Sequence, residues 1–373
     1  MQGWKPRNMT ALPTKKLEAW RYTDLAPLSA LSFAPPPPAA VPALPALDLP
    51  RLVFLNGRFT EALSSHLGIV TRFAPGAEIS AQPLALINAE QAQDGVTLTV
   101  PDGVDAGTIL LIAHASASAP FAAHLRHRIS LGLGAKLTII DIAKGEGVYW
   151  HNPVSDITLA AGAQLSHYRL QDESREAFNT ATIRASIAAG AGYEHFTATI
   201  GAQLSRTEIH ATLKGEAASA QLNAAQLLTG EQHGDFTSVV AHKAPNCPSR
   251  QTVKSVLSGL ARGVFQGRIE VDRIAQKTDG YQMSRALLLS PNAEMDIKPE
   301  LQIYADDVKC SHGATIGTLD EDQLFYLRSR GIPEAEARTL LIRAFLDDAL
   351  APVVQEDAKT LFEAAIENWW SSQ

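Results

Sequence analysis

Arg128-Ile129-Ser130-Leu131-Gly132-Leu133-Gly134-Ala135 is followed at a fixed interval by Asp156-Ile157-Thr158-Leu159-Ala160-Ala161-Gly162-Ala163. After the same interval comes Arg184-Ala185-Ser186-Ile187-Ala188-Ala189-Gly190-Ala191, so Gly134, Gly162 and Gly190 stand 28 residues apart. A weaker fourth copy, His210-Ala211-Thr212-Leu213-Lys214-Gly215, arrives slightly early. This period is too long for a hexapeptide-type coil and suits one large turn of a parallel β-helix. Successive turns would stack at ~4.8 Å, with glycine at each corner. Leucine-rich and helical solenoids need long amphipathic helices inside each repeat, and residues 128–215 offer none. The expected fold is mainly β: a right-handed parallel β-helix flanked by N-terminal and C-terminal helical segments.

Outward from the repeat, the chain divides into residues 1–96, 97–317 and 318–373. Residues 14–25 read as a short helix. Ala34-Pro35-Pro36-Pro37-Pro38 opens a proline-rich stretch to Pro50 that can be neither helix nor inner strand, hence an extended linker. Arg51-Leu52-Val53-Phe54-Leu55-Asn56-Gly57-Arg58-Phe59 reads as a hairpin turning at Asn-Gly, and residues 60–95 as short helices. After Gly317 the texture turns helical. Thr318-Leu319-Asp320-Glu321 fits a capping box in which Thr318 and Glu321 serve free backbone N–H groups. Gly331 is placed to end that helix, and Pro333 to open the next.

The 373 residues carry a net charge of −7 with basic residues scattered, which argues against a nucleic-acid partner. No apolar run reaches the ~18 residues needed to span a bilayer. The opening Met1-Gln2-Gly3-Trp4-Lys5-Pro6 lacks the apolar core of an export signal. The two cysteines, Cys247 and Cys310, make no disulfide framework, so the expected location is a reducing cytoplasm. Two are also too few for a self-sufficient iron–sulfur site, which usually takes four. There is no P-loop, GxSxG elbow or HExxH. Gly132-Leu133-Gly134 matches only a fragment of a dinucleotide fingerprint.

Chemistry concentrates in Ala305-Asp306-Asp307-Val308-Lys309-Cys310-Ser311-His312-Gly313-Ala314-Thr315. In a strand Cys310 and His312 share a face, and both are metal ligands. Two ligands do not close a site: either the others come from another chain or this is a buried thiol beside a hydrogen-bonded histidine. Strand parity leaves their face open, because Leu301, Ile303 and Ala305 favour odd positions inward and Val308 the even ones. Asp306 and Asp307 could add hard oxygen ligands or simply guard a strand edge. His167 and His195 each follow a repeat glycine by five residues and should stack on successive turns; such a ladder can bind metal, but a solvent-facing decoration is the favoured reading. Cys247, between Pro245 and Pro248, reads as a thiol in a tight turn.

The same run, continued by Asp320-Glu321-Asp322-Gln323-Leu324-Phe325-Tyr326-Leu327-Arg328-Ser329-Arg330-Gly331-Ile332, resembles the C-terminal signature of the SufB/SufD family of the SUF iron–sulfur cluster assembly system. Glu18-Ala19-Trp20-Arg21-Tyr22-Thr23 resembles that family's E-x-W-[RK]-Y-T motif. Ser311-His312-Gly313, without an acidic neighbour to the histidine, is closer to the SufD branch. The resemblance implies a scaffold and not an enzyme. It pairs with a SufB-like paralogue at the end of the β-helix, or with itself when that partner is absent. It also binds a SufC-like ATPase through the C-terminal helices, for which Leu324, Phe325, Tyr326, Leu340 and Phe345 are the candidate docking residues. It further implies a transient iron–sulfur cluster shared with the partner and none held stably by this chain alone. ATP would enter only through the ATPase, and His312, ahead of Cys310, would contribute to assembly. The rival from another class is an exported-type β-helix polysaccharide lyase or hydrolase, which needs a carboxylate–arginine column; only Arg128, Asp156 and Arg184 hint at one. A third reading is a purely structural homodimeric β-helix protein that uses its tip only for packing.

Overall fold

The computed structural model describes residues 11–74, 82–92 and 94–371. The opening residues 1–6, read above for their lack of an apolar core, lie outside the described residues. Two long sheets, of ten and eleven strands, face each other, and the chain alternates between them as it climbs. Apart from the short antiparallel partners Arg58–Phe59 and Val70–Arg72, the pairing is parallel. The molecule is therefore a parallel β-solenoid, as the repeat predicts.

Register follows the repeat residue by residue. Arg128, Asp156, Arg184 and His210 are successive partners in one sheet, so the early fourth copy is a true turn. Gly134, Gly162 and Gly190 all adopt positive φ, between 61° and 71°, at the corner between the sheets. The left-handed conformation costs an L-residue roughly 1–2 kcal/mol, which explains glycine at that step of each turn. Odd-numbered inner positions such as Ile129, Ile157, Ala185 and Ala211 fill a single core between the sheets.

The outer faces are covered as well, which is why the strands read as apolar on both sides. Helix Pro83–Gln91 and the N-terminal segment pack Trp20, Leu25, Leu28, Leu84 and Ile87 against Trp150, Phe178 and Leu204. Residues 14–25 form less helix than expected, with a 3-10 turn Glu18–Trp20 and a one-turn helix Ala26–Ser29. Trp20 is held by the buried Arg206, whose guanidinium lies 4.0 Å from the ring centre while also pairing with the buried Asp235. Glu18 reaches Lys298 near the far end of the same sheet. Residues 60–95 contain a strand, Val70–Arg72, as well as the turn Glu61–Leu63 and helix Pro83–Gln91.

The Asn-Gly hairpin forms, with Asn56 and Gly57 both at positive φ. Its first strand, Arg51–Leu55, also pairs in parallel with Asp105–Ser116, so the solenoid sheets begin before residue 97. The proline-rich linker is extended, yet Ala39, Leu44, Leu47 and Leu49 pack against the sheet.

The C-terminal helices Glu321–Ser329, Glu334–Leu350 and Glu356–Ser371 include two that lie along the side of the solenoid and do not cover its end. Ile342, Leu346, Leu350, Phe362 and Trp369 bury against Tyr168, Phe196, Leu227 and Val256 of the middle turns. Lys254, almost fully buried, fixes the docking by donating to the Phe345 carbonyl at 2.6 Å and to Asp348 at 2.7 Å. The first of these helices is capped by Asp320 and not by Thr318: Asp320 Oδ1 accepts from the N–H groups of Asp322 and Gln323. Aspartate caps as well as threonine, and a start at Glu321 leaves Leu319 free to bury in the side cluster. Gly331, at φ 87°, closes the helix with a Schellman pair, Gly331 to Arg328 and Ile332 to Leu327.

Two glycine substitutions separate the constraints. Gly190 faces open space at positive φ, so Gly190→Ala should cost about 1 kcal/mol. At Gly201 a Cβ would sit 2.2 Å from the Glu173 backbone of the turn below. Gly201→Ala should therefore cost upward of about 3 kcal/mol. Denaturant unfolding of the two variants checks the ranking; equal costs would contradict stacking at this closeness.

Candidate functional site

The last turn consists of Glu294–Ile303 in one sheet and Lys309–Gly317 in the other, and each pairs on one side only. Their outer backbone groups form an open edge, and Ile303, Tyr304 and Ile316 are exposed beside it. Such an edge is a template for another strand. The parity conflict in the sequence dissolves here, because residues 304–308 form the corner between two sheets and each strand keeps its own phase.

Cys310 stands over Gly280 and His312 over Gln282. A Cβ on Gly280 would lie 3.1 Å from Ile269 of the opposite sheet and 3.5 Å from the Cys310 sulfur, which places the thiol on the inner side. Cys310 packs against the cluster of Ile269, Val271, Ala275 and Ala305. Its half-burial pushes the thiol up, partly opposed by the Gly280 backbone and reinforced by the Asp279 carboxylate. It is thus a protonated thiol at neutral pH, a weak ligand until something withdraws the proton. His312, on the same face, is exposed on the open turn and makes no side-chain hydrogen bond among the described residues.

Asp306 and Asp307 lie exposed in the corner. Asp307 is engaged by Lys277 through its side chain and by Gln276, whose Oε1 accepts from its N–H at 2.9 Å. Among the described residues no cluster of three or more His, Cys, Asp or Glu is arranged to hold a metal. Cys310 and His312 can therefore supply two ligands at most.

Residues 112–345 match the family described as SUF system FeS cluster assembly, SufBD core domain. The chain belongs to the SufBD family. It is 32% identical over 371 residues to the iron-sulfur cluster assembly protein SufD of Escherichia coli, covering 94% of this chain and 87% of that one. An iron-sulfur cluster assembly SufBD family protein of Synechocystis is 33% identical over 385 residues, covering 91% and 83%. One from Mycobacterium bovis is 30% identical over 253 residues, covering 66% and 63%. This is a SufD-like member of an iron–sulfur cluster assembly family.

Of the candidate docking residues in this SufBD chain, Phe325, Tyr326 and Leu340 are exposed, at 72%, 57% and 42%. Leu324 is buried, and Phe345 packs on the side cluster beneath Lys254, so neither faces outward. Of the expected column, Asp156 pairs with Arg184 and with the neighbouring Arg126 at 2.7 Å, while Arg128 donates to the Ala74 carbonyl at 3.1 Å, so the carboxylate serves an ion-pair ladder on one sheet.

The histidine pair stacks as the spacing predicts, His167 against His195 at 4.9 Å, but it is buried inside the core and not solvent-facing. The Tyr193 hydroxyl lies 3.2 Å from Nδ1 of each ring. Burial alone would raise the Asp141 carboxyl, but His167 and Arg169 overcome it and hold the group well below the usual range. Burial, with His167 and Arg169 nearby, keeps His195 neutral. His127, beside them, is pushed down to about 4, chiefly by burial. A cavity of about 10 Å³ lined by His127, Asp141, His151 and Arg169 is at the lower limit for a single water. Cys247 is buried in its turn and donates to the Gly215 and Pro245 carbonyls.

Folding should therefore weaken in mild acid. The unfolded chain protonates His127 near the ordinary histidine value of 6.5, while the folded chain resists until about 4. Stability is full above 6.5 and is lost as pH falls toward 4, by about 3 kcal/mol from this group. Denaturant unfolding at several pH values should show that slope, and His127→Gln should flatten it; an unchanged slope would contradict a neutral buried His127.

Proposed function

We propose that this chain is a scaffold subunit, not an enzyme, and that it pairs through its open last turn with a SufB-like paralogue. A nascent iron–sulfur cluster is assembled at the junction. The observation that carries the reading is the coincidence of three features on one turn: unpaired strand edges, exposed Ile303, Tyr304 and Ile316, and the inward Cys310 and His312. A partner strand added to either edge would bury the imidazole and thiol in a shared space. The His312 imidazole can bind iron or carry a proton. Cys310 becomes a ligand once iron draws off its proton. The cluster is cargo here, passing through a site this chain only half supplies.

A SufC-like ATPase docks on the exposed Phe325, Tyr326 and Leu340, and ATP is hydrolysed there. Helix Glu334–Leu350, which carries Leu340 and packs on the helix of Phe325 and Tyr326, is fixed to the middle turns through Lys254, so its movement can be felt along the solenoid. The two free cysteines suit the cytoplasm.

Two experiments test this. In a complex co-expressed with SufB-like and SufC-like partners, His312→Ala should leave the subunits together but cut iron and acid-labile sulfide by roughly tenfold. Undiminished cluster content would make His312 a packing residue. Phe325→Asp with Tyr326→Asp should abolish ATPase co-purification while the paralogue stays bound; retained ATPase would sink the assigned docking face.

A further inference from the structure

Gln282 lies directly under His312 as its register partner on Asp279–Leu288. It is fully buried, and neither its Oε1 nor its Nε2 has a hydrogen-bond partner among the described residues. Gly267 on the opposite sheet makes room for it: a Cβ there would stand 3.0 Å from Oε1 and 3.1 Å from the amide carbon. The residue below in the column, Gln251, accepts from the Ser238 hydroxyl through Oε1, while its Nε2 is also without a partner among the described residues.

A buried amide without partners is costly, whereas an apolar side chain of similar shape is not. The column itself accepts apolar residues, since Ile139 and Leu222 occupy the same position on earlier turns. Packing thus gives no reason for glutamine at 282. What distinguishes this turn is its neighbour above. Partners in a parallel ladder are about 4.8 Å apart, so rotation of either side chain brings amide and imidazole within reach, and both side chains are without a hydrogen bond among the described residues.

We propose that Gln282 is a positioning residue for His312, its amide hydrogen-bonding the imidazole from below and fixing which ring nitrogen faces the partner. This rests on the assembly role proposed for His312. Metal-binding histidines are oriented by such a bond on the second nitrogen, and a neutral amide does so without adding charge.

The test is histidine ¹⁵N NMR on the full chain, at a pH where the ring is neutral, with His312 assigned through His312→Gln. Wild type should show one predominant His312 tautomer. Gln282→Leu and Gln282→Met should relax it toward the mixture of a free imidazole, with a Tm equal to wild type or higher. Gln251→Leu should leave His312 unchanged. Identical tautomer populations in wild type and both Gln282 variants would overturn the inference. So would Gln251→Leu shifting His312 as strongly, which would mean an amide ladder inside the core. If His312→Ala keeps its full cluster while the Gln282 variants shift the tautomer, the assembly role fails and the positioning stands. The opposite pair of results overturns the positioning alone.

Discussion

A strand in a parallel ladder needs a neighbour on each side, because half of its backbone donors and acceptors point each way. Every middle turn of this solenoid has both neighbours; the last has one. The rest of the molecule is arranged around that asymmetry. Outer faces are shielded by the N-terminal segment, the proline-rich linker and the C-terminal helices, while the terminal edge is left uncovered. A solenoid ordinarily needs a cap there, and this one presents Cys310 and His312 at that place.

The stacking that leaves the edge open also sets the chemistry. Side chains on one face of successive turns form columns, so each inward residue is read by those above and below it. In the middle turns the column is closed: Asp141 pairs with Arg169, and the edge-to-face imidazoles of His167 and His195 share the Tyr193 hydroxyl out of water. Such a network specifies register, since a slip of one residue would strand a charge in the core. At the last turn the same inward face meets no further rung, and Cys310 and His312 are left half-buried and exposed. One periodic constraint thus yields a buried polar cluster in the middle turns and an open cysteine–histidine pair at the last.

The turns themselves could be read from the sequence, because corner glycines at a fixed interval and alternating strands are local signals. Gly134, Gly162 and Gly190 were sufficient. The side packing of the C-terminal helices could not be read, since Ile342 or Phe362 looks the same whether it covers an end or a flank; Lys254, the buried anchor, carries no sequence signal. Nor could burial of His167 and His195, which depends on parity across a corner. Gln282 was missed for the same reason: only the register with His312 singles it out among ordinary strand residues. At the functional run, sequence supplied the residues and left their face open, because residues 304–308 turn between sheets without a glycine or proline to mark the corner.

The central claim is that the uncovered last turn is where the partner binds. Backbone hydrogen exchange, on the chain alone and with a SufB-like partner, tests it most directly. The account predicts new protection concentrated in Glu294–Ile303 and Lys309–Gly317, with the side helices and the first strand, Arg51–Leu55, unchanged. Protection that appears on those other elements while the last turn exchanges as before would contradict it.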